Sequence, residues 1–323
     1  MGRRTCLLAA VVFAAASAGA ALGQSYPTKP IKFVVPFPPA GSTDLSARAV
    51  AGKLGDKLGQ PIIIENRPGA GGGIGADVVA KSPGDGYTLL VGTVGTHGIN
   101  ASLYSKLPYD HLKDFVPVIL LSTTPNVLEM HPRFPPNSVR EVIALAKSKP
   151  GELTFASSGN GTSIHLSGEL FKSMAGVQLT HVPYKGSGPM LVDLMSGTTH
   201  MAFDNLSASI GHIKSGRLKA LATTGPKRSP AMPDLPTVSE AGLTGYDSTS
   251  WNAVFAPAGT PREVVERLNR ELRAILETPE TRKFFSDQGA ESGGGTPEQL
   301  DAFVRAETAK WAKVVKDSGA KID

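Results

Sequence analysis

The stretch IKFVVPFPPAGSTD, Ile31 to Asp44, decides how the rest of the chain is read. Ile31 to Val35 is rich in β-branched and aromatic side chains and stops at Pro36, which has no N–H to give to a sheet ladder. A Pro/Gly turn follows, and then a helix. Ser42 or Thr43 is the expected N-cap, and Asp44 lies in the first turn, where the helix dipole favours an anion. Leu45, Ala49, Leu54 and Leu58 form an apolar face. Strand, tight loop and helix make up the repeating unit of an α/β sheet. The loop sits at the carboxyl end of the strand, where the unpaired N–H groups of a helix start form an anion site. An ordinary βα turn without a ligand fits the same residues.

Before this unit, residues 1–23 read as a secretory signal: Arg3 and Arg4 are the positive start, Leu7 to Ala16 the short apolar core, and Ala21-Leu22-Gly23 the small residues before cleavage at Gln24. The apolar run is too short for a membrane span. Cleavage removes Cys6, the one cysteine, and with it any disulfide, thiol nucleophile or thiolate-bound metal. Losing Arg3 and Arg4 lowers the formal charge from +5 to +3, and Lys and Arg are scattered without a dense run. Nucleic-acid binding is therefore not expected. About 300 mature residues exceed one comfortable core and point to two lobes.

After the first unit, QPIIIE (Gln60 to Glu65) is a second buried strand, followed by GAGGGIGA from Gly69 to Ala76 and a helix over Gly73 to Lys81. Gly71-x-Gly73-x-x-Ala76 partly matches a dinucleotide fingerprint, but the next strand, YTLLV, runs into Gly92-Thr93 with no acidic residue for a ribose. An anion-cradling turn is the preferred reading, with a plain flexible loop as its alternative. A third small-residue turn, Gly92 to Asn100, has the same make-up. Val116 to Leu121 and Asn126 to Met130 are strand candidates around a turn at Ser122 to Pro125, read as a crossing between lobes.

A second lobe repeats the pattern. The strand Leu153 to Ala156 is followed by seven consecutive Ser, Gly, Asn or Thr residues, Ser157 to Ser163, and a helix ended by Gly176. Hydroxyls beside free N–H groups suit a carboxylate, though such residues also form unliganded loops. Leu179 to Val182, a helix from Pro189 to Met195, His200 to Phe203, a helix over Leu206 to Lys214 and the strand Leu218 to Thr223 complete a βαβαβαβ order with parallel pairing expected. Tyr246 to Trp251 is the second crossing, leading into the strand Trp251 to Ala256. In the tail, Thr260-Pro261, Thr278-Pro279 and Thr296-Pro297 each place a capping Thr before a helix that packs on the first lobe.

Catalytic signatures are scarce. The seven histidines show no HExxH or other local metal spacing, and no G-x-S-x-G elbow occurs. A secreted serine hydrolase, with a serine from the glycine-rich turns and His97 or His165 as base, stays open beside binding without turnover.

PFPPAGSTD, ENRPGAGGGIGADVVAKSPGDGYTLL, FASSGNGTSIHLSGELF, VPYKGSGP, FDNL and FAPAGTP, in this order and spacing, resemble the Bug family of periplasmic solute receptors. These are the substrate-binding components of tripartite tricarboxylate transporters. The resemblance spans the mature chain. It implies a periplasmic-binding-protein-like Venus flytrap of two α/β lobes joined by a two-segment hinge, with lobe 1 over 24–124 plus 247–323 and lobe 2 over 125–246. It further implies a periplasmic, monomeric, cofactor-free receptor that closes on a small di- or tricarboxylate and delivers it to membrane permease subunits. A sensory receptor of the same fold serving a membrane kinase is the rival.

The family holds its ligand largely by main-chain N–H groups. Carried over, the first lobe offers Phe37, Ala40, Gly41, Ser42 and Thr43, then Gly69, Ala70, Gly71 and Gly72, then Thr93, Thr96 and His97. The second lobe offers Ser157, Ser158, Gly161, Thr162 and Ser163, then Tyr184, Lys185 and Asp204. Two positions depart from the family pattern: Ala40-Gly41 where Gly-Gly is more frequent, and Ser250-Trp251-Asn252 where Gly-Trp is usual.

Overall fold

A computed structural model of the protein describes residues 26–322, so the expected signal sequence over 1–23 lies outside the described residues. Strand β1 (Ile31–Val35) is the centre of a parallel trio, with β2 (Ile62–Asn66) on one side and β3 (Thr88–Thr93) on the other. Phe33 is in register with Ile64 and Leu89. Apart from Lys32, every residue of β1 is buried, as expected of a strand covered on both faces. One face is covered by α1 (Ser42–Leu58) and, from the tail, α7 (Arg262–Leu276). Val50, Leu54, Leu268 and Leu272 pack there around Ile31 and Phe33. The other face carries α2 (Gly73–Ala80) and the long final helix α9 (Pro297–Ser318), whose Leu300, Val304, Trp311 and Val315 meet Val34, Leu90 and Phe255.

The expected turn at Ser122 to Pro125 is not a turn. A single 16-residue strand, β4 (Phe115–Met130), runs straight through it, paired antiparallel with β9 (Thr249–Pro257) from Phe115↔Pro257 to Pro125↔Thr249. The polar run looks like a loop in sequence because these residues make bonds that water would otherwise make. The Ser122 hydroxyl meets that of Ser46 at 3.2 Å, and the Asn126 amide donates to the Thr224 hydroxyl at 2.7 Å. Both passages between the halves are thus neighbouring strands of one ladder.

Beyond the crossing, β4 continues into the second half. There β5 (Thr154–Ser157) pairs in parallel with β6 (Thr180–Pro183) and β7 (Met201–Asn205). The parallel order stops at that point. β7 and β8 (Lys219–Thr223) both pair antiparallel with β4, because β4 enters from the other half pointing the opposite way. Helices α3 (Val139–Ser148), α4 (Ser163–Ala175), α5 (Ser187–Ser196) and α6 (Leu206–Lys214) surround this sheet, and Phe155, Phe171, Phe203 and Tyr246 fill the core on one side.

In the tail, Thr278 caps α8 (Pro279–Asp287) and Thr296 forms a full capping box with Gln299 at α9. Thr260 does not cap: Pro261 precedes the first residue of α7, and the Thr260 hydroxyl donates to the Pro257 carbonyl at 2.8 Å. A short strand, β10 (Glu291–Gly294), pairs antiparallel with β4. The Glu307 carboxylate accepts from both indoles, Trp251 on β9 and Trp311 on α9, each at 3.0 Å to one oxygen. Glu307→Ala strands two largely buried N–H donors, and is expected to destabilise the fold by roughly 1–3 kcal/mol for each left without a partner. Urea unfolding followed by circular dichroism checks this, and an unchanged midpoint would show that water replaces the carboxylate.

Candidate functional site

Four helices begin at one place between the halves. The starts of α1, α4 and α5, together with Asn205 at the head of α6, wall a cavity of about 170 Å³. Phe37, Thr93 and Gly95 complete the wall on the side of β1 and β3, and Ser158 and Lys185 on the other. Gly41, Gly186 and Asn205, the residues preceding α1, α5 and α6, make no side-chain cap bond. Thr162 caps α4 through the His165 N–H alone. First-turn N–H groups and the positive ends of several helix dipoles are therefore directed into one small space, which suits an anion.

Ser42 and Thr43 were the expected caps of α1; Gly41 takes that position, and Ser42 is the first helical residue. Its hydroxyl is used across the cleft, donating to Asn205 Oδ1 at 2.8 Å. Asn205 Nδ2 in turn donates to Asn126 Oδ1 on the crossing strand. The loop before α1 is braced from below by Asp44, which accepts from the Ala40 N–H at 3.0 Å, from Asn66 Nδ2 at 3.0 Å and from Arg48 Nε at 2.8 Å. Burial would raise this carboxyl, but those bonds outweigh it and hold Asp44 below the usual range. Ala40 adopts φ 65°, a left-handed conformation that favours glycine, so the Ala40-Gly41 pairing carries backbone strain of about 1–2 kcal/mol.

Of the residues expected from sequence, Phe37, Ala40, Gly41, Ser42, Thr43, Thr93, Ser158, Thr162, Ser163 and Lys185 line this cavity. Gly69, Ala70, Gly71, Gly72 and Tyr184 line an outer crevice of about 600 Å³ that shares Phe37, Ser158 and Lys185 with it. The other five lie on neither wall. His97 is fully buried, stacked on Phe255 at 3.8 Å between ring centroids and bonded to the Thr96 hydroxyl, itself buried. Gly161 turns the chain at φ 78° behind Thr162. Ser157 is buried and meets His181 Nε2 at 2.7 Å, and Asp204 is buried behind Ser187.

Ser157 and His181 have the spacing of a nucleophile and base, but the serine has no exposed surface. Burial, helped by Lys172, pushes His181 down to about 4; burial, His181 and Lys172 push its stacked neighbour His165 to about 3. Both rings are neutral at pH 7. Among the described residues no three His, Cys, Asp or Glu side chains gather as a metal site would need. Sequence reading missed Asn205, Ser187 and Ser250; the first two stand in the motifs FDNL and KGSGP, one residue beyond Asp204 and two beyond Lys185. A separate cleft of about 550 Å³ lies along Thr123 and Trp251, but no helix starts in it, and its Lys227 and Lys310 are paired with Glu291 and Asp247.

The two lobes touch through glycines. A Cβ on Gly71 would lie 2.6 Å from the Asn160 carbonyl oxygen opposite, and one on Gly95 would lie 2.9 Å from that of Gly161. A Cβ on Gly72 would instead meet Thr96 and Phe37 of its own lobe. A side chain there would disturb the loop beneath the cleft, without reaching into it.

This arrangement, two α/β lobes shut over a cavity of helix starts, is that of a periplasmic solute-binding protein. Residues 46–320 match the model of the tripartite tricarboxylate transporter family receptor, and the chain belongs to that family. Protein BugT of Bordetella pertussis is 41% identical over 322 residues, which cover 98% of this chain and 99% of BugT. Among solved structures, an R. palustris protein with adipate is 44% identical with a TM-score of 0.89, covering 92% of this chain and all of that one. MatC of Rhodopseudomonas palustris, with bound malate, is 36% identical with a TM-score of 0.86, covering 90% and 100%.

Gly95→Ala tests the closed contact, since this glycine needs no unusual φ and its closest obstruction is the Gly161 carbonyl across the cleft, with the Thr93 hydroxyl of its own lobe next at 3.3 Å. The variant should fold as stably as the parent, bind ligand about tenfold more weakly for a closure penalty of ~1.4 kcal/mol, and stay more extended in small-angle scattering. Parent-like affinity would mean the lobes never come this close.

Proposed function

We propose that the protein is a periplasmic receptor that closes on a small organic di- or tricarboxylate and delivers it to the membrane permease subunits of a tripartite tricarboxylate transporter. The observation that carries this reading is the convergence of the α1, α4, α5 and α6 starts on one cavity, three of them without a side-chain cap. A carboxylate there replaces its water with main-chain donors from both lobes. Only the shut state collects all of them, so the ligand itself favours closure. The family match and the adipate- and malate-bound neighbours support the same ligand class.

We divide the described residues at the crossings, with 26–124 and 247–322 as one lobe and 125–246 as the other. The site is the cavity wall with its outer crevice, and Lys185, exposed and shared by both, meets a second carboxylate. Micromolar affinity corresponds to about 8 kcal/mol, and charge-assisted hydrogen bonds contribute roughly 1.5–3 kcal/mol each before ordering costs. Four to six donors are therefore enough without a buried salt bridge. Binding without turnover is the favoured reading, and the Ser157–His181 pair behind the site, its serine sealed from substrate, lends a hydrolase no support.

Titration calorimetry with adipate, malate and related acids, with small-angle scattering of the same samples, tests this. Binding with a smaller radius of gyration is expected, and Lys185→Ala should weaken dicarboxylates by about tenfold or more while sparing monocarboxylates. Binding without compaction would overturn the closure mechanism, and no binding by any acid would overturn the receptor reading.

A further inference from the structure

Behind the cavity wall, two carboxyl groups are buried against each other with no exposed surface: Glu129 on β4, and Asp204 on the neighbouring strand β7. The hydroxyl of Ser209, on α6, touches both, 2.8 Å from Glu129 Oε1 and 3.0 Å from Asp204 Oδ2. A hydroxyl has one proton to donate. Were both acids ionised, one of those contacts would be oxygen against anionic oxygen in a low-dielectric interior, so the pair must retain a proton. The other Asp204 oxygen accepts from the Ser187 hydroxyl at 2.9 Å, and Ser187 lines the cavity. Glu129, Ser209, Asp204 and Ser187 thus form one hydrogen-bonded chain from the core of the second lobe to the ligand space.

The groups set against the two carboxyls are Ser209 and the start of α6, Ser187 from α5, the Asn205 N–H and each other. No Lys, Arg or His among the described residues of β4, β7, β8, α5 or α6 shifts either one, and Lys185, two residues before Ser187, is not among their partners. Burial, reinforced by the Asp204 charge, holds Glu129 well above the carboxylate range, and burial raises Asp204 to about 6.

We propose that Asp204 is a positioning residue for an anionic ligand: on taking up a proton it donates to Ser187 Oγ, and the Ser187 hydroxyl then turns to donate into the cavity. With Asp204 ionised, the Ser187 proton points back into the lobe and a negative charge stands behind the wall. Both features oppose a carboxylate. The balance is simple: one proton enters from solvent as the anion binds, and no covalent bond other than that O–H changes. This rests on the receptor reading above and names the group that tunes its affinity.

The sign follows from linkage. A bound anion raises Asp204 beyond its ligand-free value, so affinity is full below about pH 6. It declines as pH rises through that value, by up to about tenfold per pH unit, until the bound-state pKa is passed. Calorimetry with adipate and malate between about pH 6.5 and 8.5, where the acids themselves are ionised, should show that decline and proton uptake approaching one per ligand in buffers of different ionisation enthalpy. Asp204→Asn carries a permanent donor to Ser187 and should bind tightly at every pH without proton uptake. A pH-independent parent overturns the proposal, as does an Asn variant that has lost affinity at every pH while folding normally. The shared proton has its own readout, a protonated-carboxyl stretch in the infrared spectrum of the ligand-free protein at pH 7, removed by Glu129→Gln. Absence of that band also overturns the proposal. Failure of every acid to bind at any pH, with the band present, would bring down the receptor reading and with it this coupling, leaving the shared proton established.

Discussion

The antiparallel ladder between β4 and β9 is the constraint on which the rest of the molecule depends. Among the described residues it joins the strands that carry both passages between the halves, so their relative placement follows from how these two backbones are paired. Buried Ser122, Asn126 and Asn252 keep the ladder supplied with hydrogen bonds where it leaves one core and enters the other. A hinge made of paired strands can twist but cannot shear freely. The helix starts on either side consequently meet at a repeatable distance, close enough for Ser42 to reach Asn205.

From that placement the electrostatics of the cleft follow. Apart from the exposed Lys185, the formal charges nearest the cavity are turned away from it: Asp44 is occupied by Arg48 and Asn66, and Asp204 by Ser187 and Ser209. What remains facing inward is largely backbone dipole and hydroxyl. Such a wall recognises negative charge without the desolvation cost of burying a lysine or arginine, and it leaves the identity of the acid to shape and to the outer crevice. The glycines at Gly71 and Gly95 allow the facing carbonyls to approach where any side chain would hold them apart.

Much of this was legible in the sequence because the evidence is local. The β1 strand and the helix after its turn read correctly from apolar spacing and one proline, although Gly41 caps α1 and its buried face runs through Ala47, Val50 and Ala51 in place of Leu45 and Ala49. The Thr296 and Thr278 caps read correctly from the proline after each. Misreadings occurred where a distant partner decides. Ser122 to Pro125 resembles a turn until β9 supplies its hydrogen bonds, and β8 looks like one more parallel strand until β4 arrives from the other half. His97 follows a glycine-rich strand end, as a ligand-binding residue would, but nothing nearby in sequence announces Phe255 stacked on it. Asp204 was placed at the site, yet its partner Glu129 lies on another strand, so its burial was invisible.

The grip of Glu307 on both indoles has a practical side. The chain's two tryptophans sit at the crossing and on the final helix, and neither lines the ligand cavity. Intrinsic emission is therefore blind to direct contact with a small aliphatic acid, which would not quench it. Any spectral change on adding one would report torsion of the hinge, giving an optical gauge of domain movement that needs no attached dye.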